Sequence, residues 1–234
     1  MTKKKSKKKS PKTQGPGPNR NKSEATREKI LEGAKKVFAD HPYSAASMRM
    51  IGSAAGVDHP LIRYYFPNKA DLFEAVVQEL TEAYHHANRA SFEGLETLSI
   101  SRGLSLYIDR MMDFISKHPE ALRIVVLNLA QPEDSEIVPA FSLMQRLVTR
   151  QTETFRKVTA PRSSTREIRM HIESFCALMI NYLGAATYYA GILRMNPRGP
   201  AYRRWVKETL HLLFLPQLRQ LIRGESPDPP ATRS

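Results

Sequence analysis

The chain has little cysteine and no long, strongly apolar run. Cys176 is the single cysteine among 234 residues, so no internal disulfide can form, and a reducing compartment is favoured over a stapled, secreted scaffold. The uncharged segment 174–193 is interrupted by polar side chains such as Asn181 and Thr187, so it predicts a buried helix rather than a membrane span. No signal-peptide pattern is present, and we expect a cytoplasmic protein without a membrane partner.

Signatures of an enzyme are also missing. The sequence has no glycine-rich phosphate loop, and Cys176 lies in an apolar run rather than beside a polarising partner. His85 and His86 are adjacent, so on a helix they point about 100° apart and cannot chelate one metal. We therefore expect no catalytic activity, no cofactor and no metal site.

Acidic residues are absent from the first 22 positions, which carry eight lysines and one arginine. The rest of the chain holds only four more basic than acidic side chains, so most of the net charge of +13 lies in this tail. Like charges repel, and Gly15, Pro16, Gly17 and Pro18 interrupt helices, so we expect residues 1–22 to be disordered. Such a tail is attracted to nucleic acid or an anionic membrane, or is simply solvated.

Beyond the tail, every periodic segment is helical, and no alternating strand pattern exceeds four residues. The first helix has an apolar face from Ile30 to Phe38, with Ser23 as its expected cap, and Asp58 and Asn68 are the expected caps of the third and fourth helices. The predicted fold class is all-α, with helices at about 23–40, 47–55, 58–66, 68 onward, 100–117, 119–130, 134–158, 165–193 and 200–222.

Residues 47–66 contain two short helices joined by Ala55-Gly56-Val57. Glycine can adopt the left-handed conformation that turns a chain sharply after a helix. This is the geometry of a helix-turn-helix motif, whose second helix enters the major groove of DNA.

The segment 26–77 resembles the DNA-binding domain of the TetR/AcrR family of bacterial repressors. The resemblance is carried by the Ile30–Phe38 stripe, Tyr43-Ser44-Ala45, Ser47-Met48-Arg49 with Ile51, Ala54-Ala55-Gly56-Val57, Tyr64-Tyr65-Phe66, Asn68-Lys69 and Leu72-Phe73. It implies an N-terminal helix-turn-helix domain followed by a larger helical domain for ligand and dimer. We expect the disordered tail at 1–22, the DNA-binding domain at 23–84, the ligand-binding and dimerisation domain at 85–224, and a frayed Pro-rich terminus at 225–234.

The sequence departs from the family pattern at four places, one of which, Asp58 in place of the frequent Ser cap, is chemically equivalent. Met50 stands where an acid is usual, and Gly52 replaces the usual alanine, which should weaken the short helix by about 1 kcal/mol. Arg63 replaces the first aromatic residue of a Tyr-rich triplet. Because arginine can grip guanine bidentately, Arg63 is expected to alter the operator sequence rather than abolish binding.

The resemblance implies a set of DNA contacts. Lys69 lies in the first turn of a helix, where the macrodipole disfavours a cation without any evident local gain, so we expect it to contact a DNA phosphate. Tyr65 is expected to pack partly against Phe66, while Tyr64 reaches the DNA backbone. The predicted DNA-binding residues are Ser47, Arg49, His59, Leu61, Arg63, Tyr64, Tyr65 and Lys69.

For the C-terminal helices, the resemblance implies a pocket for an unidentified small, largely apolar inducer, and a homodimer formed by the last two helices. Side chains at this spacing are also typical of a plain core. The candidate pocket residues are Tyr107, Met111, Phe114, Leu127, Asn128, Phe141, Met144, Phe175, Met179 and Tyr182. The candidate dimer residues are Ala177, Gly184, Ala185, Trp205, Leu213 and Leu218.

The sequence therefore predicts a homodimeric regulator, associated with the bacterial nucleoid, that a small molecule releases from a palindromic operator in double-stranded DNA. The alternative is an architectural protein that binds DNA without sequence preference through its basic tail. Mutation of the second helix of the motif separates the two, because architectural binding survives it.

Overall fold

A computed structural model describes residues 18–129, 141–159 and 161–223. Within these ranges the structure is built from helices and contains no strand, which confirms the all-α fold class. The helices are α1 (Pro18–Asp40), α2 (Met48–Ala55), α3 (His59–Tyr65), α4 (Lys69–Ser91), α5 (Ile100–Lys117), α6 (Pro119–Leu129), α7 (Phe141–Thr159), α8 (Thr165–Gly184), α9 (Ala186–Ile192) and α10 (Pro200–Arg223), with a 3₁₀ turn at Leu95–Thr97.

A first hydrophobic core lies between α1, α2, α3 and the N-terminal half of α4. Its centre is an edge-to-face pair of Phe38 and Phe73, whose ring centroids are 4.8 Å apart. Ile62 of α3 is fully buried here, and so is Ile124 of α6. Since α6 follows α4 and α5 in the chain, a later helix closes the core that supports the helix-turn-helix.

A second core joins α5, α7, α8, α9 and α10. Tyr202 and Leu210 of α10 are fully buried in it, as are Ile108 and Met111 of α5. Helix α4 runs from the first core at Phe73 to the second core at Tyr84, and the boundary expected at residue 84 falls inside this helix. The division into domains at that position stays a prediction.

The first helix begins earlier than predicted. It starts at Pro18, so residues 18–22 of the expected disordered tail are helical. Proline is tolerated in the first turn of a helix because its missing N–H has no partner there in any case. Ser23 is therefore not a cap, and its hydroxyl lies 3.2 Å from the Tyr65 hydroxyl. The tail at 1–17 and the terminus at 224–234 lie outside the described residues.

The helix predicted at 165–193 is two helices, α8 and α9, which meet at Ala185 with a bend of 79°. Among the described residues no single helix is long and apolar enough to span a membrane; by length and composition alone, this bent pair passes the same test. The helix predicted at 134–158 is described from Phe141 onward, and residues 130–140 lie outside the described ranges. The predictions at 47–55, 100–117 and 200–222 are confirmed to within about two residues.

Candidate nucleic-acid interface and internal cavity

Helix α2 is delimited by a cap at each end, Ser47 before it and Gly56 after it. The Ser47 side chain accepts a hydrogen bond from the Met50 amide at 3.3 Å, which satisfies one N–H of the first turn. Gly56 ends the helix in the left-handed conformation at φ 60°, where its amide donates to the carbonyl oxygens of Gly52 and Ser53. These caps fix where α2 stops and the turn to α3 begins.

Close contact between helices sets the orientation of α2. A Cβ at Gly33 of α1 would lie 2.7 Å from the Ala55 Cβ and 2.8 Å from its backbone nitrogen. A Cβ at Gly52 would lie 2.9 Å from the Val57 carbonyl oxygen. The sequence predicts only that Gly52 weakens α2. In the structure Gly52 also leaves room for the turn, because the backbone of the turn passes close to it. Gly33 gives no signal in the sequence, since a single glycine in a helical pattern does not show which residue packs against it.

Helix α3 is anchored on one side and exposed on the other. Ile62 packs into the first core, whereas His59, Arg63 and Tyr64 are exposed, the last at 80%, and Leu61 is 40% exposed. Asp58 occupies the N-cap position but makes no side-chain capping bond, so the prediction that it caps α3 by its carboxylate is wrong. The exposed face can contact a ligand without disturbing the core.

Tyr64 and Tyr65 take different roles. Their rings meet edge to face with centroids 5.2 Å apart. Tyr65 is half-buried against the first core, and its hydroxyl pairs with that of Ser23. Tyr64 projects outward, so its hydroxyl is the one presented beyond the protein surface.

Lys69, in the first turn of α4, has the local partners that the sequence analysis assumed it lacked. Its ammonium donates to the carbonyl oxygens of Tyr43 at 2.7 Å and Ala46 at 2.9 Å, and lies 4.3 Å from the Tyr43 ring centre. Burial lowers the pKa of Lys69. An ammonium has three donors, so a third N–H is left for a phosphate. The assumption that Lys69 has no local partner is therefore wrong, and its contact with a DNA phosphate stays a prediction.

The remaining predicted contacts flank α3. Ser47 and Arg49 are exposed at the start of α2. Together with Lys69 at the start of α4, they bracket the exposed face of α3 along the chain. Helix N-termini and basic side chains are the groups that bind phosphate, and an exposed helix suits the major groove.

A cavity of about 330 Å³ lies in the second core, enclosed by α4, α5, α7, α8 and α10. Of the predicted pocket residues, Tyr107 and Phe175 line it. Burial raises the pKa of Cys176 to about 11 and lowers the pKa of His171. The polar lining that the sequence analysis missed includes Asn88, Gln151 and His171, three buried polar side chains on apolar helix faces.

The other predicted pocket residues do not line this cavity. Met111 and Met179 are buried in the second core, Phe114 packs on His118, Tyr182 packs on Trp205, and Leu127 lies away from the cavity. Asn128 instead ties α6 to the segment after α1: its Oδ1 accepts from the Tyr43 amide at 2.9 Å, and its Nδ2 donates to the Ile124 carbonyl of its own helix. The side chains of Phe141 and Met144 lie outside the described part of the chain.

Two predicted dimer residues make contacts within the subunit. A Cβ at Gly184 would lie 2.7 Å from Val126 Cγ2, so the small residue serves contact between α8 and α6. Leu218 is buried in the second core. Ala185 is half-buried at the α8–α9 bend, and Trp205 packs against Tyr182 and Tyr202. Ala177 and Leu213 are exposed, and large apolar side chains exposed nearby in the chain are Met170, Tyr188, Ile192 and Leu212.

Comparison with known proteins agrees with this geometry. Residues 30–76 match the family model for bacterial regulatory proteins of the tetR family. The probable HTH-type transcriptional regulator YttP of Bacillus subtilis is 24% identical over 80% of this chain and 91% of its own. The HTH-type transcriptional repressor AcnR of Corynebacterium glutamicum is 35% identical over 79 residues, which span 34% of this chain and 40% of the repressor.

Two solved structures share the fold. The fatty acid degradation regulator FadR from Bacillus halodurans superposes with a TM-score of 0.61 at 17% identity, over 86% of this chain and 97% of its own. NalD, the secondary repressor of the MexAB-OprM multidrug efflux pump in Pseudomonas aeruginosa, superposes with a TM-score of 0.55 at 21% identity, over 87% and 100%. Residues 30–76, which hold the capped helix-turn-helix and the exposed α3, therefore form a DNA-binding domain of the tetR family of bacterial regulatory proteins, and the described chain shares the fold of solved TetR-family regulators.

Proposed function

We propose that this protein is a homodimeric repressor that leaves a palindromic operator when a small, largely apolar ligand fills the cavity of the second core. The observation that carries the proposal is the course of α4. Its first turn holds Lys69 beside the turn that precedes α2, and its last turns bring Asn88 to the cavity wall. One continuous helix therefore connects the DNA-facing surface with a ligand-sized space.

The exposed face of α3 is the part that would read DNA. His59, Leu61 and Arg63 would face base edges in the major groove. The guanidinium of Arg63 would donate a bidentate pair of hydrogen bonds to guanine. The backbone contacts would come from Ser47, Arg49, Tyr64, Tyr65 and Lys69. Support comes from the exposure of α3 around its buried anchor Ile62, which lets the helix present side chains without loss of core contacts.

The dimer would form through the outer faces of α8 and α10. Leu212 and Leu213 of α10 are 74% and 51% exposed, and Ala177 of α8 is exposed with little side chain to obstruct approach. Apolar groups of this size on a surface favour burial against a second protein surface. A two-fold axis through this face would present two α3 helices to the two halves of a palindrome.

Ligand binding would act through a difference in affinity between two arrangements of the subunit. The DNA-binding core is joined to the second part of the molecule by α4 and by α6. Asn128 of α6 holds the Tyr43 amide, and Arg123 pairs with Asp40 at 3.0 Å. A ligand that shifts α4 against α6 would thus reposition α3 in each subunit.

The test is an operator selection from random double-stranded DNA, followed by titration of the selected site. We expect a palindromic consensus that the wild-type protein prefers over random DNA. The double variant Arg63→Ala/Tyr64→Ala should bind this site more weakly and with a reduced preference over random DNA. A matched control, Lys36→Ala on the exposed surface of α1, should leave the consensus unchanged. Binding without a consensus, indifferent to the α3 substitutions, would instead assign the protein an architectural role.

A further inference from the structure

We propose that the cavity takes an electrically neutral ligand bearing a hydrogen-bond acceptor such as a carbonyl oxygen, and that the side-chain amide of Asn88 binds this acceptor. The inference rests on the proposed function only in treating the cavity as the effector site. It goes further by naming the chemical class of the ligand and the residue that selects it.

Asn88 supplies the recognition element. The residue is 1% exposed and lines the cavity, and its Oδ1 accepts a hydrogen bond of 2.6 Å from the Tyr107 hydroxyl. Its Nδ2 is buried and has no hydrogen-bond partner within the described ranges. Buried donors are almost always paired, because an unpaired one loses its hydration without compensation. A hydrogen-bond acceptor on a ligand would supply the partner that Asn88 Nδ2 lacks.

The charge of the lining disfavours an anionic ligand. Among the described residues that line the cavity, the one ionised side chain is the exposed Glu96 in the 3₁₀ turn, and neither lysine nor arginine is present. A buried carboxylate without a counter-charge is strongly disfavoured. Glu96 would also repel an anion that enters past it.

His171 does not supply the missing positive charge. Burial lowers the pKa of its imidazole, so the ring is neutral near pH 7. Its Nδ1 lies 3.1 Å from the Gln217 side-chain carbonyl oxygen, which can only accept, so Nδ1 carries the proton. The Nε2 atom is then an acceptor, and His171 favours neither an anion nor a second carbonyl at that position.

The apolar part of the ligand would lie against a closed circuit of aromatic rings. Neighbouring ring centroids are 5.0 to 6.5 Å apart around the circuit. The rings belong, in order, to Phe92, Tyr107, Phe175, Phe214, His171 and Phe155. All except Phe214 also line the cavity, so a flat hydrocarbon body with one carbonyl matches both the walls and the donor.

Four biphenyl probes of similar shape test the proposal on the full-length wild-type protein without DNA. Dissociation constants are measured for 4-acetylbiphenyl, 4-isopropylbiphenyl, biphenyl-4-carboxylate and biphenyl-4-ylmethylammonium by fluorescence titration. The ketone should bind at least about tenfold more tightly than either ion. Equal or tighter binding of the carboxylate or the ammonium ion would overturn the proposal.

Substitution of Asn88 tests the residue. In Asn88→Leu the ketone should lose about tenfold in affinity, while 4-isopropylbiphenyl binds as well as before or better. The double variant Asn88→Leu/Tyr107→Phe removes both polar partners, so it should stay folded and show the same lost preference. Asn196→Leu, an exposed amide in the loop before α10, should change neither constant. Retention of the ketone preference in the folded Asn88 variants would contradict the assignment.

These measurements separate the ligand class from the proposed repressor function. Probe binding is read from the protein alone, so a failed operator selection would leave the ketone preference standing. A successful selection with no ketone preference would leave the repressor and remove the ligand class.

Discussion

The ammonium nitrogen of Lys69 lies 2.7 Å from the carbonyl oxygen of Tyr43 and 2.9 Å from that of Ala46. This contact fastens the start of α4 to the turn between α1 and α2, one residue before the Ser47 cap. Lys69 thus holds the helix-turn-helix in place from inside the subunit, in addition to the phosphate contact that we propose.

The pair Lys69→Met and Tyr64→Ala separates these roles. Lys69→Met should lower the free energy of unfolding by about 1–3 kcal/mol, because two carbonyls lose a charged donor, whereas Tyr64→Ala should change it by less than about 0.5 kcal/mol. Both should weaken operator binding. Denaturant titration and gel-shift titration give the two quantities. Unchanged stability in Lys69→Met would contradict its internal role, and full affinity in Tyr64→Ala would contradict its place in the interface.

Gly184→Ala should destabilise the subunit by about 1–3 kcal/mol, because the added methyl group meets Val126 Cγ2 at 2.7 Å and overpacks the α6–α8 contact. Gly103→Ala is the matched control, since its methyl group would meet Leu95 at an ordinary 3.9 Å. That control should be neutral or more stable by up to about 1 kcal/mol, because alanine favours helix. Thermal unfolding of both variants measures the difference, and equal melting temperatures would show that α6 moves aside.

Leu213→Glu should convert the dimer to a monomer, because a carboxylate buried in an apolar interface costs several kcal/mol. Sedimentation velocity reports the mass. Leu61→Glu alters a comparably exposed leucine on α3, far along the chain from α10, and should leave the dimer intact while it weakens DNA binding. A stable Leu213→Glu dimer would move the interface away from this part of α10.

Arg63→Ala tests direct base recognition. If the guanidinium reads guanine, the variant should lose about 1–3 kcal/mol on the selected operator and relax the preference at one base pair in each half-site. Operator selections with the two proteins measure the change. A consensus identical to that of the wild type would limit Arg63 to backbone contact.

His171 should make stability depend on pH. Burial lowers its pKa in the folded state, so below about pH 6.5 the unfolded chain binds a proton that the folded chain excludes. The free energy of unfolding should therefore fall as pH drops from 7 to 5. His171→Gln should flatten part of this slope. Urea titrations of the wild type and the variant at several pH values give the slopes, and equal slopes in the two proteins would refute the assignment.

The local signals in the sequence predicted the helix-turn-helix and the start of α4. The caps Ser47, Gly56 and Asn68 act through residues within four positions along the chain, so their geometry can be inferred from short segments. The cavity depends on contacts between distant segments. Asn88 and Tyr107 form a pair because α4 and α5 cross there, and periodicity alone did not identify Asn88.

Two site predictions concern residues whose partners depend on the fold. The sequence predicts Gly184 at a dimer interface, but it does not show which helix approaches the glycine, and in the subunit α6 does so. The sequence predicts Asn128 in the ligand pocket, whereas its side chain pairs with a backbone amide 85 positions away. Contacts between such distant segments cannot be inferred from the residue type alone.

The unbroken course of α4 limits how the two ends of the molecule can move. Lys69 and Asn88 are separated by about 28 Å along the helix axis, at 1.5 Å per residue. A stiff rod of that length that tilts by only about 4° around one end displaces the other by about 2 Å. A sub-ångström shift of α4 at the cavity wall, close to the pivot of the tilt, therefore becomes a displacement of about 2 Å at the far end of the helix. That larger displacement exceeds the tolerance of a hydrogen bond to a base edge.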